Sequence, residues 1–140
     1  MVHALRETHR VLRPGGILID LRPAAKHRRV GLGEGRAWRL VGEMREPLKE
    51  DRQADRAVAQ VARRGLFRVV GRGAVLLERV MDDMNDFHAW LNEFNQRRVV
   101  SGHTWLIRRL ERALEKRRVR IVSRGPLEVR VLKKLSSAGR

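Results

Sequence analysis

The junction at residues 10–21 constrains the fold more than any other part of the chain. An amphipathic helical pattern ends at Leu12, Pro14 stops it, and Gly15-Gly16 follows at once. Proline cannot continue a helix, and glycine adopts the positive φ angles of a tight turn without steric cost. The apolar run over residues 17–21 then predicts a strand whose two faces are both covered. Helix, tight turn and strand in this order are typical of an α/β fold.

This junction resembles the one between a late helix and the fifth strand of class I S-adenosylmethionine-dependent methyltransferases. Sequences of that family commonly carry leucine, glutamate, arginine-valine-leucine and proline-glycine-glycine at this place. The matching residues are Leu5, Glu7, Arg10, Val11, Leu12, Pro14, Gly15 and Gly16. Residues 65–70 are similar to the point where the family passes from a helix to its sixth strand. The resemblance covers residues 1–23 with some specificity, and residues 48–72 and 118–132 loosely.

The resemblance implies a partial, Rossmann-like mixed sheet with about four helices and a C-terminal antiparallel hairpin. In the family, the strands and the glycine loop that hold the methyl donor come before this junction. The resemblance therefore implies a methyltransferase-like chain that lacks the S-adenosylmethionine-binding half and is inactive alone, either as a fragment or as a reduced relative. No catalytic or cofactor-binding residue is assigned, and S-adenosylmethionine is expected only if an N-terminal half is supplied.

The remaining patterns predict an alternation of helices and extended segments. Periodic apolar positions indicate helices, and alternating positions between glycine-rich turns indicate hairpins. The predicted elements are a hairpin over residues 28–45, a helix over 48–64 closed by Gly65, a strand over 74–80, helices beginning near Asp82 and Thr104, and a hairpin over 119–131 that turns at Arg124-Gly125-Pro126.

Size and composition favour one domain over residues 1–135, followed by a tail at residues 136–140. The chain has no cysteine, which excludes disulfides and thiolate metal sites and fits a cytoplasmic location. Its apolar runs are too short to span a bilayer, so no membrane association is expected. The five histidines lack the spacing of a metal site, and no metal is expected either.

The net charge of +16 suggests a second function, that of a small basic nucleic-acid-associated protein. The basic excess is concentrated in residues 101–140, which carry 12 basic and 3 acidic side chains. Because 27 of the 32 basic residues are arginine, a compositional bias without a binding role explains the charge slightly better. The residues that would contact phosphate are Arg117, Arg118, Arg120, Arg130, Lys133 and Lys134.

Asp20 and Arg22 lie at the carboxyl end of the first predicted strand, where open α/β sheets place ligands. They are the candidates for a substrate-side rim, although a buried strand also commonly ends in charged residues where it reaches water. The glycines of residues 31–35 resemble a donor-binding loop, but their extended surroundings favour a hairpin turn. The sheet edge beside residues 17–21 calls for a cover, which the hairpin, a partner such as the missing N-terminal half, or a second copy in a homodimer would provide.

Overall fold

The computed structural model describes residues 1–33, 35–97, 103–115 and 119–136. Over these residues the chain forms four α-helices, one short 3-10 helix and five strands in a mixed α/β arrangement, which confirms the predicted fold class. The elements are α1 Val2–Val11, β1 Ile17–Pro23, β2 Arg28–Leu32, η1 Gly35–Ala37, β3 Arg39–Met44, α2 Lys49–Arg63, β4 Phe67–Met81, α3 Met84–Arg97, α4 Thr104–Leu114 and β5 Ile121–Lys134.

The chain divides into two compact units, each assembled from segments that are distant in sequence. Unit 1 contains Met1–Ala25, Lys49–Val75 and Leu127–Arg140, and unit 2 contains Lys26–Leu48 and Leu76–Pro126. Both β4 and β5 therefore contribute residues to each unit. The single domain expected from chain length stays a prediction.

Unit 1 packs α1 and α2 around a small apolar core. β1 pairs antiparallel with β5, from Ile17 opposite Lys133 to Pro23 opposite Leu127. The apolar stripe of α2 follows the predicted helical spacing, and Gly65 closes this helix with a φ of +71°. The buried core residues are Leu5, Ala57, Val58, Val61, Phe67 and Leu132.

The predicted tight turn after α1 is present. Gly15 has a φ of +72°, a conformation that side-chain-bearing residues rarely adopt, and the Gly16 amide donates to the Arg13 carbonyl at 2.9 Å. The end of β5 binds this turn through Lys134. The Lys134 amide donates to the Gly16 carbonyl at 2.8 Å, and Lys134 Nζ donates to the Leu12 carbonyl at 2.6 Å.

The expectation that β1 is covered on both faces is wrong. Ile17, Ile19 and Leu21 are 48%, 65% and 58% exposed, whereas Asp20 and Arg22 point inward. Successive side chains of a strand point to opposite faces, so one face of β1 lies toward α2 while the other is open. An apolar run gives no information about which of its faces another element covers.

The terminal hairpin predicted over residues 119–131 is also wrong, because β5 is one continuous strand from Ile121 to Lys134. It pairs with β2 through residues 121–124, with β1 through residues 127–133, and also with β4. Pro126, which has no N–H, falls between the β2 and β1 pairings. Gly125 leaves room for a neighbour, since a Cβ there would lie 2.5 Å from the guanidinium of Arg28.

Unit 2 is built on the β2–β3 hairpin, which confirms the hairpin predicted over residues 28–45. The helices predicted near Asp82 and Thr104 are present as α3 and α4. Their apolar faces and the hairpin share one core, to which β4 and β5 add a residue each. Its buried members are Val30, Leu32, Val41, Met44, Met81, Phe87, Trp90, Leu91, Leu106, Leu110 and Ile121.

Candidate functional site

Asp20 and Arg22, the predicted substrate-side rim, lie on the inward face of β1. Their side chains are only 11% and 10% exposed. Arg22 Nε donates to Asp20 Oδ2 at 2.9 Å, and Arg22 Nη1 lies 3.4 Å from the Asp51 carbonyl oxygen of α2. The two residues therefore face α2 and are largely shielded from solvent.

A carboxylate of α2 joins this pair to β5. Asp55 Oδ1 lies 2.8 Å from Arg22 Nη2 and 2.8 Å from Arg130 Nη2, so that one oxygen serves both guanidinium groups. Arg130 Nη2 also donates to Glu128 Oε2 at 2.7 Å. We call Asp20, Arg22, Asp55, Glu128 and Arg130 the charge cluster.

Strand register explains how residues more than 100 positions apart in the sequence meet in the charge cluster. Asp20 is opposite Arg130 and Arg22 is opposite Glu128 in the β1–β5 ladder. Each strand therefore presents one acid and one base on the same face, with opposite charges across the ladder, which is the favourable cross-strand arrangement. Asp55 approaches from α2.

The electrostatic balance of the charge cluster favours the cationic form of Arg130. Burial lowers the pKa of Arg130, but the carboxylates of Glu128 and Asp55 raise it by more than burial lowers it. The net pKa is therefore above the ordinary arginine value. Arg130 is therefore cationic at every physiological pH. The cluster contains three carboxylates and two guanidinium groups, and each carboxylate lies within 2.9 Å of an arginine nitrogen.

This geometry suits attachment of α2 to the sheet better than acid–base catalysis. A general base needs an oxygen within hydrogen-bond reach of a substrate proton. Here the carboxylates of Asp20 and Asp55 are directed at arginine side chains inside unit 1. The buried charges are paired with one another, although Arg22 Nη2 and Arg130 Nε are buried without a hydrogen-bond partner among the described residues.

The structure describes four of the six residues predicted to bind phosphate. Arg130 is 12% exposed within the charge cluster, and Lys134 caps the Leu12 carbonyl. Arg120 Nε lies 3.1 Å from Asp82 Oδ1. Lys133 is exposed on β5. The other two, Arg117 and Arg118, lie outside the described residues.

Sequence reasoning missed Asp55 and Glu128, the two remaining carboxylates of the charge cluster. One signal for the α2 side was present: Asp51 precedes Asp55 by one helical turn and is 7% exposed, at the edge of the apolar stripe that contains Val58. Carboxylates beside a core-facing stripe require cationic partners when they are buried. No comparable signal marks Glu128, because its role depends on the register with β1.

A second polar feature lies in unit 2, where an open cavity of about 500 Å³ is lined by Arg28, Glu78, Trp90 and Phe94, among others. The guanidinium carbon of Arg28 lies 5.9 Å from the Trp90 ring centroid and 5.5 Å from that of Phe94. Arg28 thus occupies the aromatic faces itself, at a distance typical of cation–π contacts. The cavity wall is stabilised by this stacking and presents no unoccupied aromatic platform there.

Compared with known proteins, the chain matches no family model, no curated protein and no solved structure. Among the described helices, none is long and apolar enough to cross a membrane. A search of the same part of the chain finds no group of three or more histidine, aspartate and glutamate side chains able to hold a metal ion.

Proposed function

We propose that unit 1 is the C-terminal sheet segment of a methyltransferase-like protein. The observation that supports this most is the order of its elements: the tight turn after α1 leads into β1, α2 leads into β4, and β5 pairs with both strands. The resemblance of the α1–β1 junction implies a fifth strand, a helix, a sixth strand and a closing antiparallel strand, which is the order in unit 1 except that Lys26–Leu48, a segment of unit 2, is inserted between β1 and α2. Both the glycine turn after α1 and the order of the strands in unit 1 are therefore consistent with the methyltransferase family.

On this proposal the donor-binding half is supplied from outside the described residues. Methyl transfer gains most of its rate from holding donor and acceptor together, which requires a preformed donor site. The glycine run that begins at Gly31 belongs to the turn region of the β2–β3 hairpin, and Gly33 has a φ of +102° there. It leads through the short η1 helix into β3, whereas a donor loop connects a buried strand to an α-helix. Asp20 and Arg22 serve to position α2 and take no part in proton transfer.

Isothermal titration with S-adenosylmethionine tests this proposal. We expect no saturable binding to the chain alone up to about 1 mM, the upper end of ordinary Michaelis constants. Saturable binding below that concentration would mean that these residues contain a complete donor site, and the proposal would be rejected. Extension of the chain with any coding segment that lies in frame before Met1 is the complementary experiment, since a strand, glycine loop and helix encoded there would restore binding.

Polynucleotide binding, the alternative suggested by charge, is tested by fluorescence anisotropy with a labelled oligonucleotide at two salt concentrations. With Arg130 and Lys134 engaged inside unit 1, four of the six predicted residues remain, so we expect about four phosphate contacts and about a 100-fold loss of affinity between 50 and 200 mM salt. A loss of about 1,000-fold or more would indicate six or more contacts. That result would favour the nucleic-acid function.

A further inference from the structure

The open side of β1 is an apolar surface without a described cover. Ile17, Ile19 and Leu21 project from it, and about half or more of each residue is exposed. Their register partners on β5 continue the same face, because Ile19 is opposite Val131 and Leu21 is opposite Val129. Residues that are directly opposite in an antiparallel pair point to the same side of the sheet.

β4 extends this face on the other side of β5. The β4 residues next to the β5 valines are glycines, which have no side chains. A Cβ on Gly71 would lie 3.3 Å from Val131 Cβ, and one on Gly73 would lie 4.0 Å from Val129 Cβ. Both glycines therefore adjoin the β5 valines. Further along β4, Val75 is 53% exposed. We call the surface formed by these positions of β1, β5 and β4 the outer face.

The outer face has a raised side and a low side. The three large side chains of β1 form a ridge, the β5 valines lie in the middle, and Gly71 and Gly73 form a floor. Such a surface complements itself: a two-fold axis over the β5 valines would bring the ridge of each copy above the floor of the other. A two-fold interface requires this property, since the same patch must contact itself.

We propose that the outer face is the interface of a homodimer. Its side chains expose about 500 Å² of apolar area, near the upper end for the largest apolar patch of a monomer. Two copies would bury about 1,000 Å², which reaches the lower limit of a specific interface. Lys133, the register partner of Ile17, lies at the rim, where interfaces are ordinarily polar. The dimer is independent of the proposed function.

Charge determines how this dimer responds to salt. Each copy carries a net charge of +16, and association brings two such copies together. Salt screens this repulsion and strengthens the burial of apolar surface. We expect the dimer to tighten as salt concentration rises. An acidic partner bound to the same face would show the opposite response, because its attraction to the basic chain would be screened.

Sedimentation equilibrium at micromolar concentration tests the proposal. The expected mass is twice that of the 16.2 kDa chain. Ile19→Gln removes the centre of the ridge, and Gly73→Leu fills the floor; each is expected to raise the dissociation constant by about tenfold or more. Gly73→Leu keeps the monomer intact because its Cβ position is in ordinary contact range and its φ is not positive.

Val11→Gln is the matched control, since Val11 is 67% exposed on α1, away from the outer face. It makes the same kind of apolar-to-amide change as Ile19→Gln and should leave the dissociation constant unchanged. Circular dichroism melts verify that every variant is folded. A wild-type chain that remains monomeric, or a folded Gly73→Leu variant that dimerises as tightly as the wild type, would overturn the proposal. Weakening of the dimer by salt would also overturn it.

Discussion

Phe67→Ala is expected to lower the free energy of unfolding by about 3–5 kcal/mol. Phe67 is 1% exposed in the core of unit 1, and its ring lies edge-on to His9, with centroids 5.3 Å apart at 87°. Truncation removes buried apolar area and leaves a cavity that α1, α2 and β5 fill only in part. Urea denaturation followed by circular dichroism measures the change.

Val70→Ala provides a control three residues further along the same strand. Val70 is 48% exposed, so its truncation deletes little buried surface and should change stability by about 0.5 kcal/mol or less. The two variants share strand, unit and type of substitution to alanine. Equal, small effects of both would show that Phe67 does not lie in a packed core.

Asp55→Asn is expected to destabilise the chain by about 2 kcal/mol. The substitution removes the carboxylate that Arg22 and Arg130 share and leaves two guanidinium groups that are 10% and 12% exposed. The loss of stability stays below that expected when a buried arginine loses every carboxylate partner, because Asp20 and Glu128 remain in place. The Asp55 side chain is also 34% exposed. Chemical denaturation at two salt concentrations measures it, and most of the loss should persist at high salt.

Glu7→Gln tests an exposed ion pair in the same unit. Glu7 and Arg10 are 2.8 Å apart, but their side chains are 49% and 71% exposed, and pairs of this kind contribute about 0–1 kcal/mol. The effect should be small and should vanish at high salt. If Asp55→Asn costs no more than Glu7→Gln, the charge cluster does not hold α2 on the sheet, and its carboxylates would again be candidates for a role at a substrate.

Local chemistry explains which elements were predictable from the sequence. The turn at Gly15 and the end of α2 at Gly65 were found because proline and glycine act on the backbone of their immediate neighbours. The α2 helix was found because its apolar spacing matches the helical period. These signals need no knowledge of distant residues.

The errors concern properties that depend on distant residues. Gly125-Pro126 has the composition of a turn, but in the fold the glycine makes room for Arg28 and the proline lies between two strand pairings. Only part of the charge cluster could be predicted from the sequence, for the same reason. The position of Asp20 follows from the end of a strand, whereas its grouping with Arg130 follows only from the β1–β5 register.

The order of synthesis matters for unit 1, whose first and last segments are Met1–Ala25 and Leu127–Arg140. β1 acquires its ladder partner, and the Leu12 carbonyl its contact with Lys134, only when Leu127–Arg140 has left the ribosome. Contacts across such long chain separations slow folding, because loop closure precedes the stabilising interactions. Until that segment emerges, α1 and β1 are nascent-chain segments with exposed isoleucine and leucine side chains, the type of sequence that chaperones bind.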